Sequence, residues 1–177
     1  MSALFKIFLT VFAITLCFSD LHAQHKSVGA SFSLSGIGVS YENSKSDDSF
    51  IEVSLKTELW EVLNERSTAP GVSAGFTWNL ILKSWQSKEG NTVNIFAGAG
   101  VTGGYAKDYK KPDGCFMGLK GRFGIECCYQ RNVQLCLCII PVLGTHVRKE
   151  ETNLRMEYYK AGLLNTIMPE IGIKYMF

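Results

Sequence analysis

The stretch IMPEIGIKYMF, from Ile167 to Phe177, decides the fold of this chain. Every second residue, counted from Ile167, is apolar, and most of the residues between them are polar or small. A period of two is typical of a β-strand that has one apolar and one polar face. We therefore predict a strand here. The apolar positions are Ile167, Pro169, Ile171, Ile173, Tyr175 and Phe177.

The same alternation recurs in seven segments upstream. The phase flips at Ser35-Gly36, as it does in a tight hairpin, and the other connections are alternately short and longer. The longest predicted loop is charged and runs from Arg148 to about Gly162. The pattern predicts an all-β, eight-stranded antiparallel up-and-down barrel. The upstream segments are Ser27–Leu34, Ile37–Glu42, Ile51–Leu59, Val72–Lys83, Val93–Thr102, Met117–Cys127 and Val133–His146.

Residues 1–23 have the pattern of a cleaved secretory signal peptide. Lys6 precedes the apolar run Ile7 to Phe18, which is too short to cross a bilayer as a helix, and Ala23 marks the expected cleavage site. We expect residues 24–177 to be exported as one domain. They contain no further apolar stretch of helical spanning length, so any membrane crossing must be made by strands. The net charge of +2 without a basic stripe argues against nucleic acid as a partner.

Charged residues on the polar faces indicate which face points outward. They comprise equal numbers of acids and bases, which could pair across the narrow interior of an eight-stranded barrel. We predict a lumen ion-pair network and an apolar exterior facing lipid, in a transmembrane barrel. The alternative is a soluble periplasmic barrel of the lipocalin kind with an apolar interior. The predicted network consists of Glu42, Glu52, Lys56, Glu58, Lys83, Lys120, Arg122, Glu126, Glu170 and Lys174.

Aromatic residues lie near many strand ends, as in the girdles of membrane barrels. Trp85, Tyr105 and Tyr129 are examples, and the chain ends on Tyr175-Met176-Phe177. In these features the chain resembles the small eight-stranded outer-membrane β-barrels typified by the membrane domain of outer membrane protein A and by outer membrane protein X, and it is similar to porin-family proteins. The C-terminal strand resembles the insertion signal of that family, with Ile171, Ile173, Tyr175 and Phe177 as its apolar positions.

The resemblance implies a monomer in the cell outer membrane with a polar, plugged interior and no large channel. Its expected partners are outer-membrane lipid and lipopolysaccharide, and the barrel-assembly machinery during insertion. The expected role is structural, adhesive or binding, exerted through the extracellular loops, and not enzymatic. A narrow-pore solute channel and an outer-leaflet lipid-modifying enzyme are the alternatives. For the enzyme, His146 near the longest loop is the candidate base, although no serine sits in a matched position beside it.

The cysteines show no recognised disulfide or metal spacing. Cys136-x-Cys138 lacks ligand-spaced histidines, so we predict no metal site, and nothing in the chain predicts a cofactor. A three-residue turn before Val133 sets Glu126 opposite Cys136. A register one step different would place Cys128 opposite Cys136 and permit a disulfide; otherwise these thiols are small core fillers. Lipidation at Cys17 is an alternative that the bulky Leu16 disfavours.

Overall fold

A computed structural model describes residues 26–59, 62, 64, 70–88, 90–107, 113–129, 132–150 and 153–177. The signal-peptide prediction for residues 1–23 lies outside this range. The described elements are β1 (Lys26–Ser33), β2 (Gly36–Ser46), β3 (Ser49–Glu58), β4 (Gly71–Gln86), β5 (Thr92–Lys107), β6 (Asp113–Tyr129), β7 (Val133–Ile139), β8 (Val142–Glu150), β9 (Asn153–Tyr158), α1 (Lys160–Thr166) and β10 (Glu170–Met176).

The strands form a closed antiparallel barrel, which confirms the predicted fold class. Successive strands from β1 to β6 pair as neighbours, and β10 closes the wall by pairing with β1 on one side and β7 on the other. β7 and β8 both pair with β6 in one register, so they are two parts of the seventh wall strand. β9 and β10 pair with different parts of that strand and together make the eighth.

The seventh wall strand is interrupted at Pro141. Proline has no N–H to donate to the ladder, and the carbonyl oxygen of Pro141 accepts from the Gly121 amide at 2.8 Å on its β6 side. A Cβ at Gly121 would lie 2.9 Å from Pro141 Cγ, so a glycine makes room for the ring. The register on the two sides of the break is unchanged, and the barrel wall continues through it.

The prediction of a long loop from Arg148 to about Gly162 is wrong for the described residues. β8 and β9 form a hairpin there, and the helix α1 follows. Along β9, the exposed Leu154, Met156 and Tyr158 alternate with charged residues, a period of two that the charge of the segment obscured. The eighth wall strand resumes at Glu170, directly after Pro169, rather than at Ile167. Within the described residues, no helix is both long and apolar enough to cross a membrane.

The two faces of the wall differ sharply in chemistry. Large apolar side chains on the outer face are exposed, among them Trp78 at 56% and Leu119 at 67%, whereas charged side chains on the inner face are buried, as with Glu52 at 3%. A soluble barrel with an apolar interior would show the reverse arrangement. The chain therefore does not have the apolar interior that the lipocalin-like alternative requires.

Candidate functional site

The centre of the lumen holds four buried charged side chains from four different strands. Lys174 Nζ pairs with a carboxylate oxygen of Glu42 and lies 2.9 Å from Glu52 Oε2. Arg122 Nη1 lies 2.8 Å from that same Glu52 oxygen. Two acids and two bases thus neutralise one another across the barrel, which removes most of the cost of burying charge. We call these four residues the central cluster.

Two phenylalanines pack beside the central cluster. Phe50 and Phe96 are fully buried and meet edge to face, with ring centroids 5.4 Å apart. The Arg122 guanidinium lies 4.8 Å from the centre of the Phe96 ring, a cation–π contact. Phe96 lies on the polar face of its segment by parity, and Phe50 lies on the polar face of β3. Its parity with Glu52 two residues later could have revealed it.

A second polar group lies towards the loop end of the lumen. Lys56 Nζ donates to Ser35 Oγ at 2.7 Å and pairs with Glu170 at 3.2 Å. Lys120 donates to Ser54 Oγ at 2.9 Å, and Glu58 accepts from Ser73 Oγ at 2.7 Å. The lysines Lys56 and Lys120 therefore face the lumen, as the alternation predicted, and small hydroxyl side chains leave room for their long stems.

Glu126 is buried, and its carboxylate is held by two side-chain amides. Its carboxylate accepts from Asn94 Nδ2 at 2.9 Å and from Gln134 Nε2 at 2.5 Å. Among the described residues, no lysine or arginine forms an ion pair with it. Glu126 lies opposite Cys136, which confirms the predicted register.

Lys83 lies on the outer face, contrary to the prediction that it belongs to the lumen network. The register between β4 and β5 shifts between Ile81 and Lys83, so Leu82 is an extra residue in the ladder. Such a bulge reverses the parity of every later side chain in the strand. Ile81 packs in the lumen beside the two phenylalanines, and the exposed Lys83 has its Nζ 4.9 Å from the centre of the Trp85 ring.

Cavities lie inside the barrel towards each of its ends. The one towards the loop end is small, with a volume of about 40 Å³, and is bordered by Lys56, Lys120 and Glu170. The other, about 720 Å³, is open to solvent and lies at the end where Asp47 belongs to a short turn. We call this larger cavity the vestibule. Phe50, which lines the vestibule, and the central cluster obstruct the lumen beyond it.

His146 is completely buried, and its ring nitrogen Nε2 lies 3.0 Å from the Ala106 carbonyl oxygen. It packs near Tyr159, whose ring stacks on Phe116 at 4.3 Å. The histidine predicted as a candidate base near the longest loop is therefore packed in the interior, beside Tyr159. Its contact with Ala106 joins the end of β5 to β8.

The cysteines of the described chain are all free thiols. Cys128 pairs with Gln134 and Cys136 with Glu126, so the register does not bring Cys128 and Cys136 together as a disulfide requires. Cys136 is buried, and its sulfur accepts from Arg122 at 3.5 Å.

Thiol labelling should follow this arrangement. We expect a maleimide to modify the exposed Cys115 in the folded protein in detergent, and to reach the buried Cys136 and Cys138 only after unfolding. Mass spectrometry of tryptic peptides measures each site, and Cys115→Ser should remove the fastest labelling while the half-buried Cys127 and Cys128 are modified more slowly. Recovery of a Cys128–Cys136 linked peptide from unreduced protein would contradict the arrangement.

The residues of the predicted insertion signal all point outward. Ile171, Ile173, Tyr175 and Phe177 are each more than half exposed, while Lys174 between them is buried in the lumen. Tyr175 lies between Val28 of β1 and Val133 of β7 at the seam of the barrel. The four side chains thus form a continuous apolar stripe on the outer wall.

These features define a class: a closed eight-stranded barrel with an apolar exterior and a charged, obstructed lumen. No family model and no curated protein matches the chain. Solved structures that are similar to it include the following two. The major outer membrane protein from Thermus thermophilus shares 12% identity over 88% of this chain and 100% of its own, with a TM-score of 0.48. The N-terminal β-barrel domain of Pseudomonas aeruginosa OprF shares 11% identity over 87% of this chain and 96% of its own, also with a TM-score of 0.48.

Proposed function

We propose that this protein is an integral barrel of the bacterial outer membrane, with lipid against its wall. The observation that carries the proposal is the inversion of the usual burial pattern. Large apolar side chains stand on the outside, and a self-neutralised ionic cluster fills the inside. In water, such a continuous apolar exterior would drive aggregation, because monomeric soluble proteins rarely expose patches larger than a few hundred Å².

We further propose a structural, adhesive or binding role for the monomer, exerted at its loop end, rather than solute transport. The obstructed lumen supports this role, because the central cluster and the Phe50–Phe96 pair leave only a small cavity towards that end. The hairpin of β8 and β9 adds an accessible surface there, with exposed Leu154 and Met156. Lipopolysaccharide in the outer leaflet and the assembly machinery during insertion are the partners that such a barrel would meet.

Fractionation of the cell envelope tests the membrane assignment. We expect the protein in the detergent-requiring outer-membrane fraction, with a mobility on SDS gels that changes on boiling, since a closed barrel resists SDS until heated. Recovery in the soluble periplasmic fraction without a mobility shift would reject the proposal.

Planar-bilayer recordings test the plugged lumen. We expect the wild-type barrel to give no stable ion conductance, because two buried rings and paired charges occupy the path. The double variant Phe50→Ala and Phe96→Ala, which empties that layer, should produce more frequent openings. A steady single-channel current from the wild type would instead favour the narrow-pore alternative.

Phe123→Arg tests the lipid contact of a single side chain. Phe123 lies on the outer face near the middle of β6 and is 50% exposed. A basic residue near the bilayer midplane costs a membrane barrel about 2–4 kcal/mol, whereas an exposed site in water would tolerate it. Urea unfolding in lipid vesicles measures the loss, with Phe123→Leu as the matched control. Equal stabilities for the two variants would indicate that this face meets water.

A further inference from the structure

Two buried thiols lie side by side in the lumen. Cys136 and Cys138 are separated by one residue of β7, so the alternation of the strand puts both side chains on the inner face, and each residue is only 3% exposed. The two thiols hydrogen-bond to each other. Their sulfurs are therefore close enough to act on one ion together. We call these two residues the dithiol pair.

One guanidinium contacts both sulfurs of the dithiol pair. Arg122 Nη2 donates to Cys136 Sγ at 3.5 Å, and the same side chain donates to Cys138. Arg122 Nη1 pairs with Glu52, which fixes the guanidinium in place. Hydrogen bonds from the surroundings orient the ligands of a metal ion, and those from a charged donor are the stronger ones. Because the two sulfurs share one donor, they converge on a common point in the lumen.

The number of ligands limits the ions that the dithiol pair can hold. In the part of the chain that the structure describes, no three or more histidine, cysteine, aspartate or glutamate side chains form a group able to hold a metal ion. Structural zinc takes four ligands, and an iron–sulfur cluster is held by four residues, so neither fits two thiols. Thiolate sulfur is soft and also selects Cu⁺, an ion that is stable in a linear complex with two thiolates.

The charges beside the dithiol pair suit such a complex. When Cu⁺ binds, two S–H bonds break, two S–Cu bonds form and two protons leave, so the complex carries one net negative charge. The bases Arg122 and Lys174 both attract negative charge on Cys136. Glu170 faces the other thiol across the β7–β10 ladder, but it pairs with Lys56. The complex therefore lies against positive side chains, and the acid beside it already has a counter-charge.

We propose that the dithiol pair binds one Cu⁺ ion through its two sulfurs, with Arg122 as the hydrogen-bond donor that orients them. The vestibule brings solvent close to the site, because Gln134, which lies two residues before Cys136 on the same inner face, lines its wall. The sequence predicted no metal site because ligand-spaced histidines are lacking, and an ion with two ligands does not require them.

A competition titration tests the site in protein refolded in detergent under argon, with ascorbate to keep copper as Cu⁺. Every cysteine except Cys136 and Cys138 is replaced by serine, so that only the dithiol pair remains. We expect this protein to take one Cu⁺ per chain from the coloured chelator bicinchoninate. Cys138→Ser in the same background should weaken binding by about a hundredfold or more, because one of the two ligands is lost.

A chain that keeps only Cys127 and Cys128 is the matched control. These two cysteines are also close in sequence, but consecutive residues of a strand point to opposite faces, so their sulfurs cannot hold one ion. Its binding should be as weak as that of Cys138→Ser. If Cys138→Ser fails to fold, as judged by its gel shift on boiling, the copper X-ray absorption edge of the protein with the dithiol pair decides the question. Two sulfur neighbours are expected there. The proposal is overturned by oxygen or nitrogen neighbours, by a third sulfur, by a lack of Cu⁺ uptake, or by equal binding in the control.

Discussion

Lys174→Met should destabilise the barrel by about 3–5 kcal/mol, the cost of leaving buried charge uncompensated. Lys174 is the cation that Glu42 contacts in the central cluster, and it also shares Glu52 with Arg122. Methionine fills a similar volume, so the loss reports the charge rather than a cavity. The measurement is urea unfolding in lipid vesicles, followed by tryptophan fluorescence and by the gel shift on boiling.

Lys83→Met is the matched control for this experiment. The substitution is chemically identical, but the β4 bulge puts Lys83 on the exposed outer face, where we expect a change within about 0.5 kcal/mol. Two equal and small losses would show that the lumen charges are solvated rather than paired. A large loss of stability in Lys83→Met would indicate that Lys83 belongs to the lumen network, and it would contradict the bulge.

Gly100→Val should prevent most of the protein molecules from folding into a closed barrel. A Cβ at Gly100 would meet the Phe76 carbonyl oxygen and would lie 2.7 Å from Thr77 Cα, and both atoms belong to the backbone of β4. Backbone cannot move aside as a flexible side chain can, so we expect a cost of about 3 kcal/mol or more. The fraction of refolded protein that shifts on boiling measures the effect.

Ala99→Val is the neighbouring control. Ala99 lies one residue earlier on the outer face of β5 and is exposed, so the two methyl groups that valine adds to the existing Cβ project away from the lumen. We expect normal refolding, because β-branched residues suit an outward strand position. If both variants refold equally well, β4 and β5 are less closely packed at Gly100 than the structure has them.

The wall of the barrel was predictable because its information is local. Alternation assigns each side chain to one of two faces, and the equal numbers of acids and bases on the polar face, with Glu52 and Arg122 among them, indicated which face was buried. The hairpin of β8 and β9 and the helix α1 were not predicted. Charge concealed the alternation of β9, and α1 is too short to show a helical period over two turns.

The contacts within the lumen required the three-dimensional register. Sequence parity places Glu126 inside, yet it cannot tell that Asn94 and Gln134 hold it while Lys174 goes to Glu42 and Glu52. Parity also fails after a bulge, and one extra residue at Leu82 moved Lys83 across the wall. The pairing of lumen side chains depends on distances across the closed barrel, which the sequence of a single strand does not reveal.

The seam between β1 and β10 has a consequence for the order of events during assembly. Val28 faces Tyr175 across it, so the wall joins residues from nearly opposite ends of the sequence. Contacts of such long range form slowly, because a large loop must first be closed. Until β10 arrives, β1 and β7 each present an unpaired edge that can recruit a foreign strand. We therefore expect closure at this seam to be a late step of folding, and a chain shortened by its last strand should accumulate as aggregate rather than as a smaller barrel.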